Sequence, residues 1–319
     1  GRLPLREIPW FTWLLQRKPM AMDVESLERS WRNWKRKRGR IGPRSLPEPF
    51  HHAADMQSLR AFFAAHAHDL AGFGESARAV PGRCFVCDRV VDFSVAAPPP
   101  GEPVNWRETL ACPHCALINR WRACIHLFEA VCEPTELDRV YLTETLSPVY
   151  AALEDRYPLL TGSEYVAGAG PGEVVELHTK QVRNEDVTRL SFPDRSLEAV
   201  LCFDVLEHVP DYRRALREFF RVLVAGGQLV LSVPFSFQYQ TVVRAVPGPS
   251  GSVQHLVEPC YHGDPLSAQG VLSYYDFGMD LLRELRGAGF TESFLLCYHS
   301  LEWGYPNENV AFVARKLSN

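Results

Sequence analysis

Residues 185–235 read EDVTRLSFPDRSLEAVLCFDVLEHVPDYRRALREFFRVLVAGGQLVLSVPF. Within this stretch, Ala199–Phe203 is a continuous apolar run, which is typical of a strand buried on both faces. Pro and Asp at 210–211 suit the first turn of a helix, and Gly226–Gly227 predict its end, because glycine adopts positive φ without strain. Gln228–Val233 is a second buried strand. The order strand, helix, strand predicts a βαβ unit with parallel strands.

Three short motifs in and around this unit resemble a known family. LSFPD at 190–194, DVLEHVP at 204–210 and RVL at 221–223, followed by the Gly-Gly pair, are similar to the later motifs of class I S-adenosylmethionine (SAM) dependent methyltransferases of the type 11 kind. The resemblance extends over roughly the C-terminal half, from Val140 to Arg315. It implies an α/β fold with a doubly wound, mostly parallel, Rossmann-like sheet, and SAM as the cofactor. It says little about the substrate, because one fold hosts many chemistries.

The composition is that of an ordinary globular protein, with 46% hydrophobic and 23% charged residues. We see no apolar run long enough to span a membrane and no signal-peptide layout in residues 1–20, so we expect a cytoplasmic protein. Residues 1–50 hold twelve Lys or Arg and five Asp or Glu, a net charge of +7. Since the whole chain carries −4, the remainder carries −11. Such an acidic remainder argues against a broad nucleic-acid surface there.

The chain divides into three predicted parts. Residues 1–50 form a basic segment and a proline-rich linker, residues 51–135 a small helical and zinc-binding module, and residues 136–319 the methyltransferase domain, with a long insertion at 236–273. In the basic segment, Arg29–Arg40 interleaves cations with two tryptophans. This pattern is compatible with binding a phosphate-bearing partner or an acidic membrane surface. It is more typical of a solvated helix whose tryptophans pack on the next domain.

Four cysteines in the second part form two C-x-x-C pairs separated by 24 residues: Cys84, Cys87, Cys112 and Cys115. Two such pairs supply the four soft ligands of a tetrahedral zinc ion. We therefore predict a structural Zn2+, with disulfides as the alternative, and no catalytic role, because four thiolates close the coordination sphere. His114, between two of the cysteines, is a minor alternative donor. The polar stretches Asn105–Ala111 and Asn119–Arg122 flank the second pair and are expected to reach toward a substrate cleft.

The first strand of the methyltransferase domain is predicted to end at Glu144, the position of the family's acidic residue. The family usually continues with a glycine-rich loop, which lets the backbone approach the cofactor closely. This chain instead has ETLSPVY at 144–150 and no glycine. Either the hydroxyl groups of Thr145 and Ser147 replace those contacts, or the cofactor sits differently.

The resemblance assigns further cofactor residues at the ends of the later strands. Glu164 follows Glu144 by 20 residues, the interval at which an acidic residue binds ribose hydroxyls; the alternative is a surface acid. Tyr165 is expected to stack on adenine, and Asp186 with its neighbour Val187 to bind the adenine amino group. The loop over the cofactor is expected to be lined by Phe203, Asp204 and Leu206.

Three residues are candidates for catalysis: His208, Tyr261 and His262. His208 follows the predicted strand Ala199–Phe203, where an imidazole works as a general base near neutral pH; the alternative is a structural histidine beneath the following helix. Tyr261 and His262 lie in the long insertion and are predicted to contact the substrate. Within that insertion, His255, His262 and Asp264 are compatible with a second metal site, an acid/base pair, or a polar loop that satisfies its own backbone.

The sequence therefore predicts SAM-dependent methyl transfer to a small-molecule acceptor, such as a metabolite, a natural-product intermediate or a saccharide. One alternative is an RNA methyltransferase, since certain bacterial 23S rRNA guanine methyltransferases also join a cysteine zinc site to this fold. A second alternative follows from the missing glycine loop. The domain would then be degenerate and bind a partner, or it would run a SAM-dependent reaction other than methyl transfer.

Overall fold

The computed structural model describes residues 48–69, 78–99, 101–177, 180–264 and 267–317. The basic segment Arg29–Arg40 and most of the proline-rich linker lie outside the described residues. Inside them, no helix is both long and apolar enough to cross a bilayer.

The first part of the described chain carries the cysteine pairs. Up to residue 135 its elements are β1 (Phe50–Ala53), α1 (Met56–His66), β2 (Ala79–Cys84), β3 (Arg89–Val95), α2 (Trp106–Thr109), β4 (Leu110–Ala111) and α3 (Asn119–Cys132). Helix α1 begins at a capping box, in which the side chain of Asp55 accepts the N–H of Ser58 and the Ser58 hydroxyl accepts the N–H of Asp55. Strands β2, β3 and β4 form a small antiparallel sheet.

The second part carries the parallel strands and the long insertion. Its elements are β5 (Val140–Leu142), α4 (Pro148–Glu154), β6 (Leu160–Gly162), β7 (Val174–Leu177), β8 (Lys180–Arg183), β9 (Leu197–Phe203), α5 (Tyr212–Val222), β10 (Leu223–Ser232), β11 (Val242–Val243), β12 (Ala245–Pro247), β13 (Val253–His255), β14 (Tyr261–Asp264), β15 (Ser267–Leu272), β16 (Tyr275–Asp276), α6 (Leu281–Gly287), β17 (Glu292–Ser300) and β18 (Tyr305–Arg315). Short 3-10 helices lie at Leu206–His208 and Pro249–Gly251. The insertion folds into the short antiparallel pairs β12–β13 and β14–β15, while β11 pairs with β16.

The central sheet has the strand order β1-β17-β18-β10-β9-β5-β6. Strands β10, β9, β5 and β6 pair in parallel, and β18, β17 and β1 are added in antiparallel register. One parallel bridge between Glu164 and Asn184 continues the sheet beyond β6. This mostly parallel sheet confirms the predicted α/β, Rossmann-like fold class.

Alternate residues of the central strands face two separate hydrophobic cores. Leu142 and Leu201 contribute to a core shared with α3, α4 and the cysteine-bearing segment. Tyr141 and Val200 contribute to the opposite core, which is completed by α1, α5 and α6. Because side chains of a strand alternate between its faces, one apolar run serves both layers.

The predicted βαβ unit is present as β9, α5 and β10, but the end of its helix differs from the prediction. Asp211 caps α5 by accepting the N–H of Arg214, as a helix start requires. The helix ends at Val222, and the chain is already extended at Leu223. Gly226, at φ +83°, lies inside β10, where the pairing with β9 shifts register. The Gly-Gly pair therefore forms an irregularity in a strand and is not the helix cap that we predicted.

The predicted boundary at residue 135 is crossed by sheet pairing and by core packing. Strand β1 pairs with β17 from Phe50↔Tyr298 to Ala53↔Leu295, and residues 42–319 cluster as one compact unit. The division into a zinc-binding module and a methyltransferase domain at residue 135 stays a prediction, and the described chain shares a hydrophobic core across that point.

Candidate functional site

The candidate site lies at one edge of the central sheet, where the parallel strands β6, β5, β9 and β10 end. In open parallel sheets, ligands bind beyond the carboxyl ends of the strands. Glu144 follows β5, Glu164 follows β6 and Asp204 follows β9. The structure therefore brings three of the predicted cofactor residues to the same edge.

Glu144 is a partly buried carboxylic acid at the centre of this edge, and its Oε1 atom is buried. Its Oε1 has no hydrogen-bond partner among the described residues. Burial raises the pKa of Glu144 to about 7, while a hydrogen bond from the Ser147 side chain and the charge of Arg120 act in the opposite direction. An acid in this setting favours the approach of a cationic group, which would stabilise its ionised form.

The loop that replaces the glycine-rich turn is held by Glu164. Its Oε1 accepts the backbone N–H groups of Thr145 at 2.8 Å and of Leu146 at 2.7 Å. The hydroxyl of Ser147 accepts the N–H of Tyr150 and thereby caps α4, while Thr145 Oγ1 is buried without a hydrogen-bond partner in the described chain. The Glu164 carboxylate thus fixes the loop at residues 145–146, which stands where the family usually has a glycine-rich turn.

The predicted adenine residues lie further along the same edge. Tyr165 is 66% exposed, which leaves its ring accessible. The Asp186 carboxylate accepts both the N–H and the hydroxyl of Thr188, so it closes a local turn. Val187 is partly buried and packs against the core that contains α5.

Phe203 and Leu206 are buried, whereas Asp204 between them belongs to a ring of ion pairs. Arg107 Nη2 donates to Asp204 Oδ1 at 2.6 Å, and Arg120 Nη1 donates to Asp204 Oδ2 at 3.1 Å. The two guanidinium groups also share the carboxylate of Glu108. We call these four residues, Arg107, Glu108, Arg120 and Asp204, the ion-pair ring.

The ion-pair ring decides the charge state of Asp204. Burial acts to raise the pKa of Asp204, but Arg107 and Arg120 outweigh it and hold that pKa well below its usual range. Ser232 adds a hydrogen bond of 2.6 Å to the same carboxylate. Asp204 is therefore ionised, and its two carboxylate oxygens accept hydrogen bonds from Arg107, Arg120 and Ser232. These contacts fix α2 and α3 to the loop after β9.

The three candidate catalytic residues occupy different settings. His208 and His262 lie together, with their ring centroids 5.0 Å apart, and both approach the buried carboxylate of Glu207. Tyr261 is 56% exposed. His255 lies on the exposed strand β13. The structure thus pairs His262 with His208 and Glu207.

The four cysteines of the two C-x-x-C pairs converge at the turn after β2 and the loop after β4. Sγ–Sγ separations are 3.7 Å for Cys84 and Cys115 and 3.6 Å for Cys87 and Cys112, and all four sulfurs lie within 4.8 Å of one another. Zinc–sulfur bonds of about 2.3 Å at tetrahedral angles place sulfurs about 3.8 Å apart. The arrangement fits a tetrahedral metal site, and every one of the four is a free cysteine.

Arg122 is buried beside these cysteines with no carboxylate partner in the described chain. Its guanidinium donates to the carbonyl groups of Leu117, Leu110, Trp303 and Gly304 and lies 3.9 Å from the ring centroid of Phe93. A metal bound by four thiolates carries a net negative charge, so a buried cation nearby is electrostatically favourable.

With this geometry in place, residues 163–231 match the family model described as a methyltransferase domain. This part of the chain is therefore similar to a methyltransferase domain. The match runs from the end of β6 to β10 of that domain and includes the motifs on which the resemblance was based.

Curated relatives match a short part of the chain. Demethylmenaquinone methyltransferases from Listeria monocytogenes and from Listeria welshimeri are each 41% identical over 69 residues, which is 21% of this chain and 29% of the relative. The chain therefore spans less than a third of the length of these relatives.

Solved structures resemble the chain over a longer range but loosely. A SAM-dependent methyltransferase from Mesorhizobium loti is 16% identical, with 63% of this chain and 99% of that chain covered and a TM-score of 0.39. SAM-dependent methyltransferases from Methanosarcina mazei give 19% identity, coverage of 61% and 97%, and a TM-score of 0.34.

Sequence reasoning did not identify Arg107, Glu108, Arg120 or Glu207 as site residues. The polar stretches around Asn105–Ala111 and Asn119–Arg122 were the available signal, and the structure places both against Asp204. Glu207 belongs to the DVLEH motif itself, but its burial depends on the insertion that folds over it.

Proposed function

We propose that this protein catalyses SAM-dependent methyl transfer to a small-molecule acceptor. The observation that carries the proposal is the buried, unpartnered carboxylate oxygen of Glu144 at the end of β5. The amino group of SAM is a cation that would satisfy this oxygen, so the residues fit the cofactor. The family match over residues 163–231 supports the same assignment.

Each cofactor residue has a proposed task. Glu144 holds the amino group, Glu164 fixes the loop at residues 145–146 and faces the ribose, and Asp186 with Val187 borders the adenine beside Tyr165. Thr145 and Ser147 shape the loop, while Phe203, Asp204 and Leu206 form the wall under the cofactor. SAM, when bound, supplies the electrophilic methyl group, and the protein contributes mainly by orienting the acceptor.

The acceptor side is proposed to be formed by His208, Tyr261 and His262, because they lie on the loop after β9 and on the insertion above it. The charge of −11 outside residues 1–50 favours a small acceptor over a polyanion. The Listeria relatives are named demethylmenaquinone methyltransferases, so aromatic acceptors belong in the first screen.

A structural zinc ion at Cys84, Cys87, Cys112 and Cys115 is the second part of the proposal. The sulfur separations and the buried Arg122 support it. The ion would cross-link the segment that delivers Arg107 and Arg120 to the candidate site. A cytoplasmic location is proposed as well, because all nine cysteines are free.

The direct test is calorimetric titration of the zinc-replete protein with S-adenosylhomocysteine. We expect micromolar binding that weakens at least about tenfold in Glu164→Ala, because the loop at residues 145–146 loses the acceptor of two N–H groups. Glu176→Ala is the matched control, since Glu176 is an exposed acid on β7. A folded protein that binds no S-adenosylhomocysteine would overturn the proposal and favour a degenerate domain.

The RNA alternative has its own measurement. Binding that depends on phosphate contacts weakens steeply as salt rises. We expect no salt-sensitive binding of a structured RNA by the full chain. Tight RNA binding that falls by orders of magnitude with added salt would replace the small-molecule acceptor by an RNA.

A further inference from the structure

Glu207 is a buried carboxylate that the proposed cofactor site does not use. Its side chain is fully buried, and neither of its oxygens accepts a hydrogen bond of good geometry from a described residue. Leaving a buried carboxylate without a partner is costly, because nothing replaces its lost hydration. A cation bound at this position would remove that cost.

Two imidazole nitrogens face the same oxygen of Glu207. His262 Nδ1 lies 3.3 Å and His208 Nε2 lies 3.6 Å from Glu207 Oε1. The other ring nitrogen of His208, Nδ1, lies 2.9 Å from the carbonyl oxygen of Leu272. Donation from that Nδ1–H leaves the lone pair on Nε2 directed toward the carboxylate, the tautomer that metal-binding histidines adopt.

From this geometry we propose that Glu207, His208 and His262 bind one divalent first-row transition metal ion. Metal–ligand bonds of about 2.0–2.2 Å at tetrahedral or octahedral angles place neighbouring ligand atoms roughly 3–3.6 Å apart, which matches the two nitrogen-to-oxygen separations. The three ligand atoms all lie within 4.8 Å of one another. Two imidazoles and one carboxylate form a ligand set used by zinc and by non-haem iron.

This metal site differs from the four-cysteine site in chemistry and in place. The cysteine cluster offers four soft ligands and no open position, whereas three protein ligands leave positions for water or for an acceptor atom. His262 comes from the insertion and the other two ligands from the loop after β9. An ion here would fasten the insertion over the edge of the sheet.

The test is titration with Co2+ of the full chain loaded with one equivalent of zinc, which fills the four-cysteine site, followed by calorimetry and visible absorption. We expect one equivalent to bind, with d–d bands but without thiolate charge-transfer absorption, since no cysteine is among the ligands. Glu207→Gln and His262→Ala should each weaken Co2+ binding at least about tenfold. His255→Ala is the matched control, because His255 is an exposed histidine of the same insertion.

The proposal is overturned if the protein that carries one equivalent of zinc takes up no Co2+, which would favour an ion pair between Glu207 and a protonated histidine. It is equally overturned if Co2+ binds but both variants bind it as tightly as the wild type. His262→Ala decides the question if Glu207→Gln fails to fold, as judged by circular dichroism. The readout is metal uptake, so it is independent of whether methyl transfer is the activity.

Discussion

Single side chains carry much of the chemistry that distinguishes this site. Glu144 was predicted from its position at a strand end, but its burial and its unpartnered oxygen depend on how Arg120 and the neighbouring loop pack around it. Glu164 was predicted for ribose, and its hold on the loop N–H groups was not foreseen. A sequence motif identifies such acids by spacing, whereas their hydrogen-bond partners follow only from the folded loop.

The raised pKa of Glu144 predicts that ligand binding changes the number of protons bound to the protein. Because burial raises its pKa to about 7, the folded protein keeps a proton that the unfolded chain releases above its ordinary pKa. This contribution to stability is therefore lost as the pH rises through about 7. A bound amino group reverses the preference, so binding of S-adenosylhomocysteine near pH 6 should release protons.

Proton release is measured by calorimetry in two buffers with different ionisation enthalpies. The observed binding enthalpy of the wild type should depend on the buffer, and that of Glu144→Gln should not. Glu176→Gln, which alters an exposed acid, should behave like the wild type. A wild-type enthalpy that is the same in both buffers would contradict the assignment of Glu144 to the amino group.

Among the secondary-structure elements, those that depend only on neighbouring residues were predicted best from the sequence. The Asp211 cap and the apolar runs of β9 and β10 follow from neighbouring residues. The end of α5 was misplaced because Gly226 is needed inside a strand, at a register shift that only the pairing with β9 defines. The ion-pair ring joins α2 and α3 to a loop almost a hundred residues away, and no spacing rule detects that contact.

The ion-pair ring predicts a large effect of Asp204→Asn. Removing the carboxylate charge leaves Arg107 and Arg120 partly buried with one shared partner. We expect the free energy of unfolding to fall by about 2 kcal/mol, less than for a fully buried pair because the ring is partly exposed to water. Urea denaturation at neutral pH measures this loss.

Asp92→Asn is the control for that measurement, because Asp92 is an exposed acid on β3. The difference between wild type and Asp204→Asn should persist through mildly acidic pH and disappear only in strong acid. The guanidinium groups lower the pKa of Asp204, so its contribution is present above the ordinary pKa and is lost as the pH falls through the lowered value. If Asp204→Asn were as stable as Asp92→Asn at neutral pH, a structural role for the ion-pair ring would be contradicted.

At the scale of the whole molecule, the described chain behaves as one body with two cores. The fold class was predictable from fifty residues because parallel strands and crossover helices have strong periodic signals. The contribution of β1 was not predicted, since FHHA is too short to show a pattern and its partner β17 lies near the other end of the chain. The pairing of β1 with β17 joins two short segments that are far apart in sequence, so it depends on the packing of the complete core.

Because both parts of the described chain share a hydrophobic core, we expect loss of the cysteine-bound metal to destabilise the whole chain. Cys84 and Cys112 share a hydrophobic core with Leu142 and Val230 of the central sheet. A chelator, or the Cys87→Ser variant, should therefore lower the midpoint of one thermal transition by roughly 5–10 °C. Cys260→Ser should leave it unchanged, because Cys260 lies outside the cluster. Two separate transitions would instead indicate an independent zinc module.

The pairing of β1 with β17 also constrains how the chain is made. Phe50 finds its partner Tyr298 only after the intervening residues 51–297 have left the ribosome. Until then β1 has no strand partner, although the parallel strands can already assemble. The loop that must close to pair β1 with β17 is very long, so this step is slow. Synthesis in the N-to-C direction thus leaves the sheet open at this edge until β17 has been made.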